Sequence, residues 1–171
     1  GKDAISEPLD IALIARLRTV VEQASDCFEK FDYAGALHRT EDAFWAFCDH
    51  YLELVKGRSY REEDSAGRRS AWATLDIALN TFLRLLAPFM PYVTEEVWSW
   101  RMAESSGQPS VHTAPWPAVE EFEGIATTYG PDVFAAAIEV VSKIRGAKSS
   151  AQKSLKWPVA TVEVVSDQRG L

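Results

Sequence analysis

The chain has 171 residues, 47% of them hydrophobic and 11% aromatic, and a formal net charge of −7. That is material for one domain with a sizeable core, or one domain with a small appendage. The composition excludes a membrane-spanning helix, since no run of about 18 apolar residues occurs. No charged start followed by an apolar core marks a secretory leader, and the acidity argues against nonspecific nucleic-acid binding.

The first helix is expected from about Leu9 to Phe31. Leu13, Leu17, Val20, Ala24, Phe28 and Phe31 recur in steps of four and three, one face of a helix. Ser6 and Pro8 are its start signals. Asp32 reads as the cap of a second helix, which carries Tyr33, Leu37, Thr40, Phe44, Phe47, Tyr51 and Leu54 or Val55 on one face and runs to about Tyr60. Residues 61–67 form a polar connection. A third helix carries Trp72, Leu75, Leu79, Phe82 and Leu86. It stops at Pro88, because the residue before a proline is pushed out of the helical region. Pro91 opens a fourth helix, to about Ala103, with Val93, Val97 and Trp100 available for burial. Long helices of this kind reach about 30–35 Å, and short connections make neighbours antiparallel. The expected fold class is mainly α, an antiparallel four-helix-type bundle over residues 1–118.

Residues 104–131 hold Gly107, Gly124, Gly130, Pro109, Pro115, Pro117 and Pro131, the mark of a long, tied-down loop. Residues 119–171 are expected to be a linker and the start of a small α/β subdomain. A helix should run from about Asp132 to Ala147, and a strand from about Val159 to Val165. One strand is not a sheet. It pairs either with Ser110–Thr113 or with strands beyond residue 171; the second is expected, which makes the chain a fragment.

Cys27 and Cys48 sit inside helical patterns. As free thiols they fit a reducing, cytoplasmic setting, with a disulfide as the open alternative. Catalysis finds little support. The histidines are His38, His50 and His112, and Cys48 and His50, two apart on a helix, point to different faces. No Cys-x-x-Cys, Glu-x-x-His or glycine-rich phosphate loop occurs. No catalytic, cofactor-binding or metal residue is expected. Glu41-Asp42, Glu62-Glu63-Asp64 and Glu120-Glu121 read as parts of solvated faces or loops. Trp45, Trp72, Trp98 and Trp100 fall in helix patterns and read as packing residues. Trp116, between two prolines, reads as a staple for its loop. Trp157 has the best claim to exposure and to stacking on a base.

Charge is uneven. Residues 142–171 hold six cations against Glu163 and Asp167, which is +4, so the first 141 residues carry −11. Lysine and arginine neutralise phosphates without base preference. One candidate RNA surface is therefore Lys143, Arg145, Lys148, Lys153 and Lys156. A second is Lys56, Arg58, Arg61, Arg68 and Arg69. Arg16, with Arg18, is a third and weaker one. The competing reading is ordinary surface charge, as for Lys56 beside Glu53 at helical spacing.

Three segments carry a resemblance: Phe47-Cys48-Asp49-His50-Tyr51-Leu52-Glu53-Leu54-Val55-Lys56, Ala87-Pro88-Phe89-Met90-Pro91-Tyr92-Val93-Thr94-Glu95-Glu96-Val97-Trp98, and Ala114-Pro115-Trp116-Pro117. Over residues 9–118 the chain resembles the helical anticodon-binding domain of class I aminoacyl-tRNA synthetases. The first segment favours the valyl branch, and the second is shared with the leucyl and isoleucyl branches. Ser142-Lys143-Ile144-Arg145 and Lys153-Ser154-Leu155-Lys156-Trp157-Pro158-Val159 look like the start of the small α/β subdomain that follows the bundle in the valyl branch. The resemblance implies a domain that docks on the anticodon stem and loop of a transfer RNA, valine-specific in the valyl branch. It implies a catalytic domain in the same polypeptide, where ATP with magnesium is used. The nucleotide-site signatures His-Ile-Gly-His and Lys-Met-Ser-Lys-Ser do not occur here, so no cofactor is expected on this chain and no membrane partner is implied. Anticodon contacts in the family come partly from the start of the bundle, where this chain reads Asp10-Ile11-Ala12-Leu13. The other readings are a protein-interaction bundle without an RNA role and a small helical enzyme.

Overall fold

The computed structural model describes residues 1–165. Asp167 and Arg169, counted in the charge of the carboxyl-terminal segment, lie outside the described residues. A short 3-10 turn, Lys2–Ala4, leads into α1, Pro8–Glu29. Proline at the first helical position needs no amide partner and is preset for the helix. Ile11, Ala12, Leu13, Ile14, Leu17, Val20, Val21, Ala24 and Cys27 are all buried on α1. A helix apolar on most of its surface belongs in the middle of a fold, and α1 packs against α2, α4 and α6.

The stripe expected on α1 ends early. Phe31 is 78% exposed with φ +59°. Its amide donates to the Phe28 carbonyl at 3.0 Å, and the Asp32 amide donates to the Cys27 carbonyl at 2.8 Å. This is the Schellman stop, in which one residue turns left-handed, usually a glycine. Here Phe31 adopts that geometry, and its ring swings off the buried face. Asp32 then caps α2, Tyr33–Ala46, accepting from the Gly35 amide at 2.9 Å. The helical path continues through a π-turn, Phe47–Tyr51, into α3, Leu52–Ser59. Phe47 and Tyr51 are buried and stack with ring centroids 5.6 Å apart. Tyr33, expected on the same stripe, is exposed.

Helix α4, Ala66–Leu86, starts at a Ser65 cap that accepts from the Arg68 amide. It runs alongside α1 in the same direction: Ser70 bonds the Ser6 and Glu7 amides at one end, and Phe89 packs on Phe28 at the other. Its buried face includes Ala71, Thr74, Ala78, Phe82, Leu85 and Leu86; of the expected stripe Phe82 and Leu86 are buried, Leu75 and Leu79 half-buried and Trp72 exposed. Trp72 is exposed and donates to the Ser59 carbonyl at 3.1 Å. Small side chains fill the first half of that face and large ones the second, so size misplaces the face only between Ala71 and Ala78. Ala87 keeps helical dihedrals, φ −53° and ψ −40°. The helix stops because Pro88 has no amide to continue the ladder, not because Ala87 is displaced.

Helix α5, Pro91–Ser106, returns antiparallel and ends at left-handed Gly107. It buries Thr94, Trp98 and Met102, with Trp98 and Met102 joining Leu83, Ala87 and Val111 in a small second core. Val93 and Trp100 are exposed, a face turned from the expected one. Of the four tryptophans read as packing residues only Trp98 is buried; Trp45, Trp72 and Trp100 stand at the surface.

The loop to α6 is stapled at several points. Trp98 donates to the Gln108 carbonyl at 2.9 Å, and Trp116 donates to the Ser25 hydroxyl at 2.9 Å and packs edge-on to Phe28. Arg84, buried, grips Glu121 through two bonds at 2.9 and 2.6 Å. Glu121 lies in the loop and keeps part of its side chain in solvent, but it is tied to the bundle. Burial alone would raise its carboxyl group, but the Arg84 hydrogen bonds, the Ala118 amide and the Arg84 charge outweigh this and hold it below the usual range. Phe122 and Ile125 join the main core, and so does Phe134 of α6, Pro131–Ser150, against Tyr51. The chain is mainly helical, and α6 packs on α1 as a further member of the bundle, beyond the four helices expected.

Among the described residues there is no strand. Residues 159–165, expected to be one, are exposed and irregular. Ser110–Thr113, the nearer candidate partner, is a turn held by Glu95, which accepts from the Ser110 hydroxyl and the Val111 amide. A strand needs a partner to satisfy its backbone, and neither segment offers one to the other. Cys27 is buried, Cys48 half-buried, and both are free.

Candidate nucleic-acid interface

The five basic residues near the carboxyl end come from one helix and the turn after it. Lys143, Arg145 and Lys148 lie on the last turns of α6; Lys153 and Lys156 follow. The turn is set by Gln152, left-handed at φ +52°, and by the Lys153 amide donating to the Lys148 carbonyl at 2.8 Å. Chain reversal brings Lys143, Lys148 and Lys153 to one open groove of about 430 Å³, floored by Ile144, Ala147 and Trp157. Lys153 Nζ sits 4.7 Å from the centre of the Trp157 ring, a cation over an aromatic face. Lys148 Nζ donates to the Leu155 carbonyl at 2.8 Å. Lys143 pairs with Glu139 at 2.6 Å, the hydrogen bond and charge of Lys143 holding that carboxyl low, but both groups are open to solvent. Lys156 is exposed and Arg145 half-buried, and neither lines the groove. Trp157 is exposed, as its sequence setting suggested.

The α3–α4 corner is built differently. Arg58 points inward onto Asp10, which is fully buried, and its Nη1 also donates to the Gly67 carbonyl at 2.7 Å. Burial would lower the Arg58 guanidinium, yet the Asp10 hydrogen bonds and charge raise it overall. Arg58 is therefore a bundle tie, with its side chain 19% exposed. Lys56 pairs with Glu53 at 3.3 Å and Arg69 with Asp64 at 3.0 Å. Arg61 is exposed, and Arg68 is half-buried with its Nε lacking a partner. Trp72 stands between Lys56 on one side and Arg68 and Arg69 on the other. Arg16 lies apart, in a cleft with Arg39, Gln23, Asp42 and Asp132, its Nε also without a partner; Arg18 is exposed. Asp10, Ile11, Ala12 and Leu13, at the start of the bundle, are all buried.

Sequence reasoning missed an aromatic tip at the end of the bundle remote from Asp10. Phe28 touches Tyr33 on the α1–α2 turn and Phe89 on the α4–α5 turn, at centroid distances of 5.3 and 5.9 Å. Phe31, Tyr33, Met90 and Tyr92 are exposed there. Phe31 and Tyr33 had been placed on buried stripes; the signal that could have found them is their position on either side of the Asp32 cap. Among the described residues no group of histidine, cysteine, aspartate and glutamate could hold a metal ion, and no helix is long and apolar enough to cross a membrane.

The family described as anticodon-binding domain of tRNA ligase matches residues 10–165. A valine–tRNA ligase of Thermobifida fusca is 48% identical over 165 residues, covering 96% of this chain and 18% of that protein. One from Salinispora tropica is 44% identical over 170 residues, covering 91% and 19%. One from Bifidobacterium longum subsp. infantis is 41% identical over 174 residues, covering 98% and 19%. The chain thus spans less than a fifth of the length of these curated relatives.

Proposed function

The chain belongs to the family of anticodon-binding domains of tRNA ligases, and on that premise we propose that it is the part of a valine–tRNA ligase that holds the anticodon stem and loop of a transfer RNA. Activation of valine with ATP and magnesium, and its ligation, belong to a catalytic domain elsewhere in the same polypeptide. The relatives' common name supports a valine-accepting RNA. The observation that carries the reading is the basic tail. Residues 142–165 hold five cations against one anion, Glu163, in a chain of net charge −7. Three of the cations share a groove with an exposed tryptophan. A polyanion meets an acidic domain where repulsion is least, and phosphate contacts of this kind position RNA without reading bases. The aromatic tip supplies ring faces on which unpaired bases can stack.

Within this reading residues 1–118 are the bundle proper. Residues 119–171 are the linker and the beginning of a small α/β subdomain, with the first turns of α6 closing over Tyr51. The segment 159–165 completes a sheet with strands supplied elsewhere in the polypeptide. The two free thiols suit a cytoplasmic protein. The test is a mobility shift with valine-accepting transfer RNA together with a valine-dependent ATP–pyrophosphate exchange assay. Salt-sensitive binding without exchange is expected. A chain that retards no transfer RNA at low salt, or that supports exchange in a preparation free of host synthetase, contradicts the reading.

A further inference from the structure

Asp10 lies in the first turn of α1 with no exposed surface. A lone buried carboxylate is costly, and it is tolerated only when paired and saturated with donors. Its Oδ1 accepts from the Tyr51 hydroxyl at 2.6 Å and from Arg58 Nη2. Its Oδ2 accepts from the Ser70 hydroxyl at 2.5 Å and from Arg58 Nη1 at 2.7 Å. Burial, then the charge and hydrogen bond of Asp10, push the Tyr51 hydroxyl far above the ordinary range, so it stays a donor.

Two of these donors also bind backbone. The Ser70 oxygen accepts from the Ser6 and Glu7 amides at 3.0 and 3.2 Å, where the chain leads into α1. Arg58 Nη1 donates to the Gly67 carbonyl at 2.7 Å, in the first turn of α4. The result is an unbroken line of hydrogen bonds: the Ser6 and Glu7 amides, the Ser70 hydroxyl, Asp10 Oδ2, Arg58 Nη1, the Gly67 carbonyl. The direction of donation reverses at Asp10 Oδ2, which accepts from both sides, and at Arg58 Nη1, which donates to both, so the two bonds that meet at each of these atoms compete and a change at one end is passed to the other.

We propose that Asp10 is a positioning residue that couples two segments distant in sequence, the lead into α1 at residues 5–7 and the α3–α4 connection at residues 60–67, so that they tighten and loosen together. When the Ser70 hydroxyl leaves Oδ2, Arg58 Nη1 is drawn to the vacant lone pair and its hold on Gly67 weakens. Coupling is reciprocal, so a force on either segment alters the other by the same free energy. The inference does not depend on the RNA reading.

The test is amide hydrogen exchange on the wild-type chain, Asp10→Asn and Ser70→Ala. The reporters are the amides of Ser6 and Glu7 for the lead, and of Tyr60, at the end of α3, for the connection. Ser70 lies in α4 itself, so Arg68 and Arg69 beside it sense its loss directly and do not report the coupling. Ser70→Ala should nevertheless speed exchange at Tyr60, by roughly tenfold, the order expected when a charge-assisted hydrogen bond goes unmade. Asp10→Asn should speed both the lead and Tyr60, while amides in the middle of α5 stay at the wild-type rate. Acceleration in Ser70→Ala confined to Ser6, Glu7 and the residues beside Ser70 overturns the coupling, because the two sets of bonds would then merely share an atom. Equal acceleration in every helix overturns it as well, since that is plain loss of stability.

Discussion

Residues 53–69 and residues 142–165 each carry five cations, yet the fold uses them in opposite ways. In the α3–α4 corner Glu53, Glu62, Glu63 and Asp64 stand among the cations, and Arg58 is turned inward onto Asp10. Two of the remaining four are paired, Lys56 with Glu53 and Arg69 with Asp64. The corner is electrically close to neutral and mechanically tied. The tail has a single anion, Glu163, within its own span and one paired cation, Lys143 with Glu139 just upstream, and its cations gather on a helix end and the turn that follows. Counting lysines and arginines therefore does not locate an anion-binding surface. What matters is how many of them the fold has already neutralised.

The comparison breaks most visibly at Arg58. Arg58→Met should destabilise the chain by about 3–5 kcal/mol in urea titration, because it leaves a buried carboxylate unpaired. The same change at Lys156 should stay within about 0.5 kcal/mol, as at ordinary surface sites. Equal and small effects would mean that Arg58 is as free as the tail lysines. Tyr51→Phe removes one of the donors to Asp10 and should cost about 1.5–3 kcal/mol, the range for a hydrogen bond to a charged group; differential calorimetry would register it as a lowered melting temperature.

Between the two regions lies the Arg84–Glu121 clamp that anchors the loop leading to α6. The Glu121 carboxyl is held below its usual range in the folded chain. Its contribution is therefore present above the unfolded value, about 4.3, and is lost as pH falls through the lower folded value. Because Glu121 is 41% exposed, solvent screening limits the effect to about 1 kcal/mol. Glu121→Gln should flatten the fall in unfolding free energy below about pH 5. An unchanged acid limb would mean the clamp holds nothing.

Much of the bundle was legible in the sequence. The Asp32 cap, the burial of Phe47, Tyr51 and Val55, and the stapling role of Trp116 followed from local rules of capping and helical spacing. The failures share a cause, which is that size and hydrophobicity were taken as signs of burial. On the first half of α4 the buried face is made of Ala71, Thr74 and Ala78, while the expected Phe82 and Leu86 are buried in its second half. Trp72 and Trp100 bury only part of their rings and find indole partners at the surface, the Ser59 carbonyl and the Glu96 carboxylate. Phe31 escaped because a left-handed stop is set by the chain reversal that follows it. Of the candidate surfaces, the grouping of Lys143, Lys148 and Lys153 was legible from local charge, since they lie within eleven residues on one helix end and its turn. The corner was not, because its decisive partner, Asp10, is 48 residues from Arg58. A trace of it was visible: an aspartate opening the apolar run Ile11-Ala12-Leu13-Ile14 needs a buried partner.

The most direct test of the distinction between tail and corner is the salt dependence of transfer-RNA affinity for three proteins: wild type, Lys153→Gln with Lys156→Gln, and Arg61→Gln with Arg69→Gln. We predict that the tail pair lowers the slope of log affinity against log salt by up to about one unit per lost contact, equally for valine-accepting and other transfer RNAs, while the corner pair leaves the slope at the wild-type value. A slope lowered by the corner pair and untouched by the tail pair would contradict the assignment and move the RNA to the α3–α4 corner.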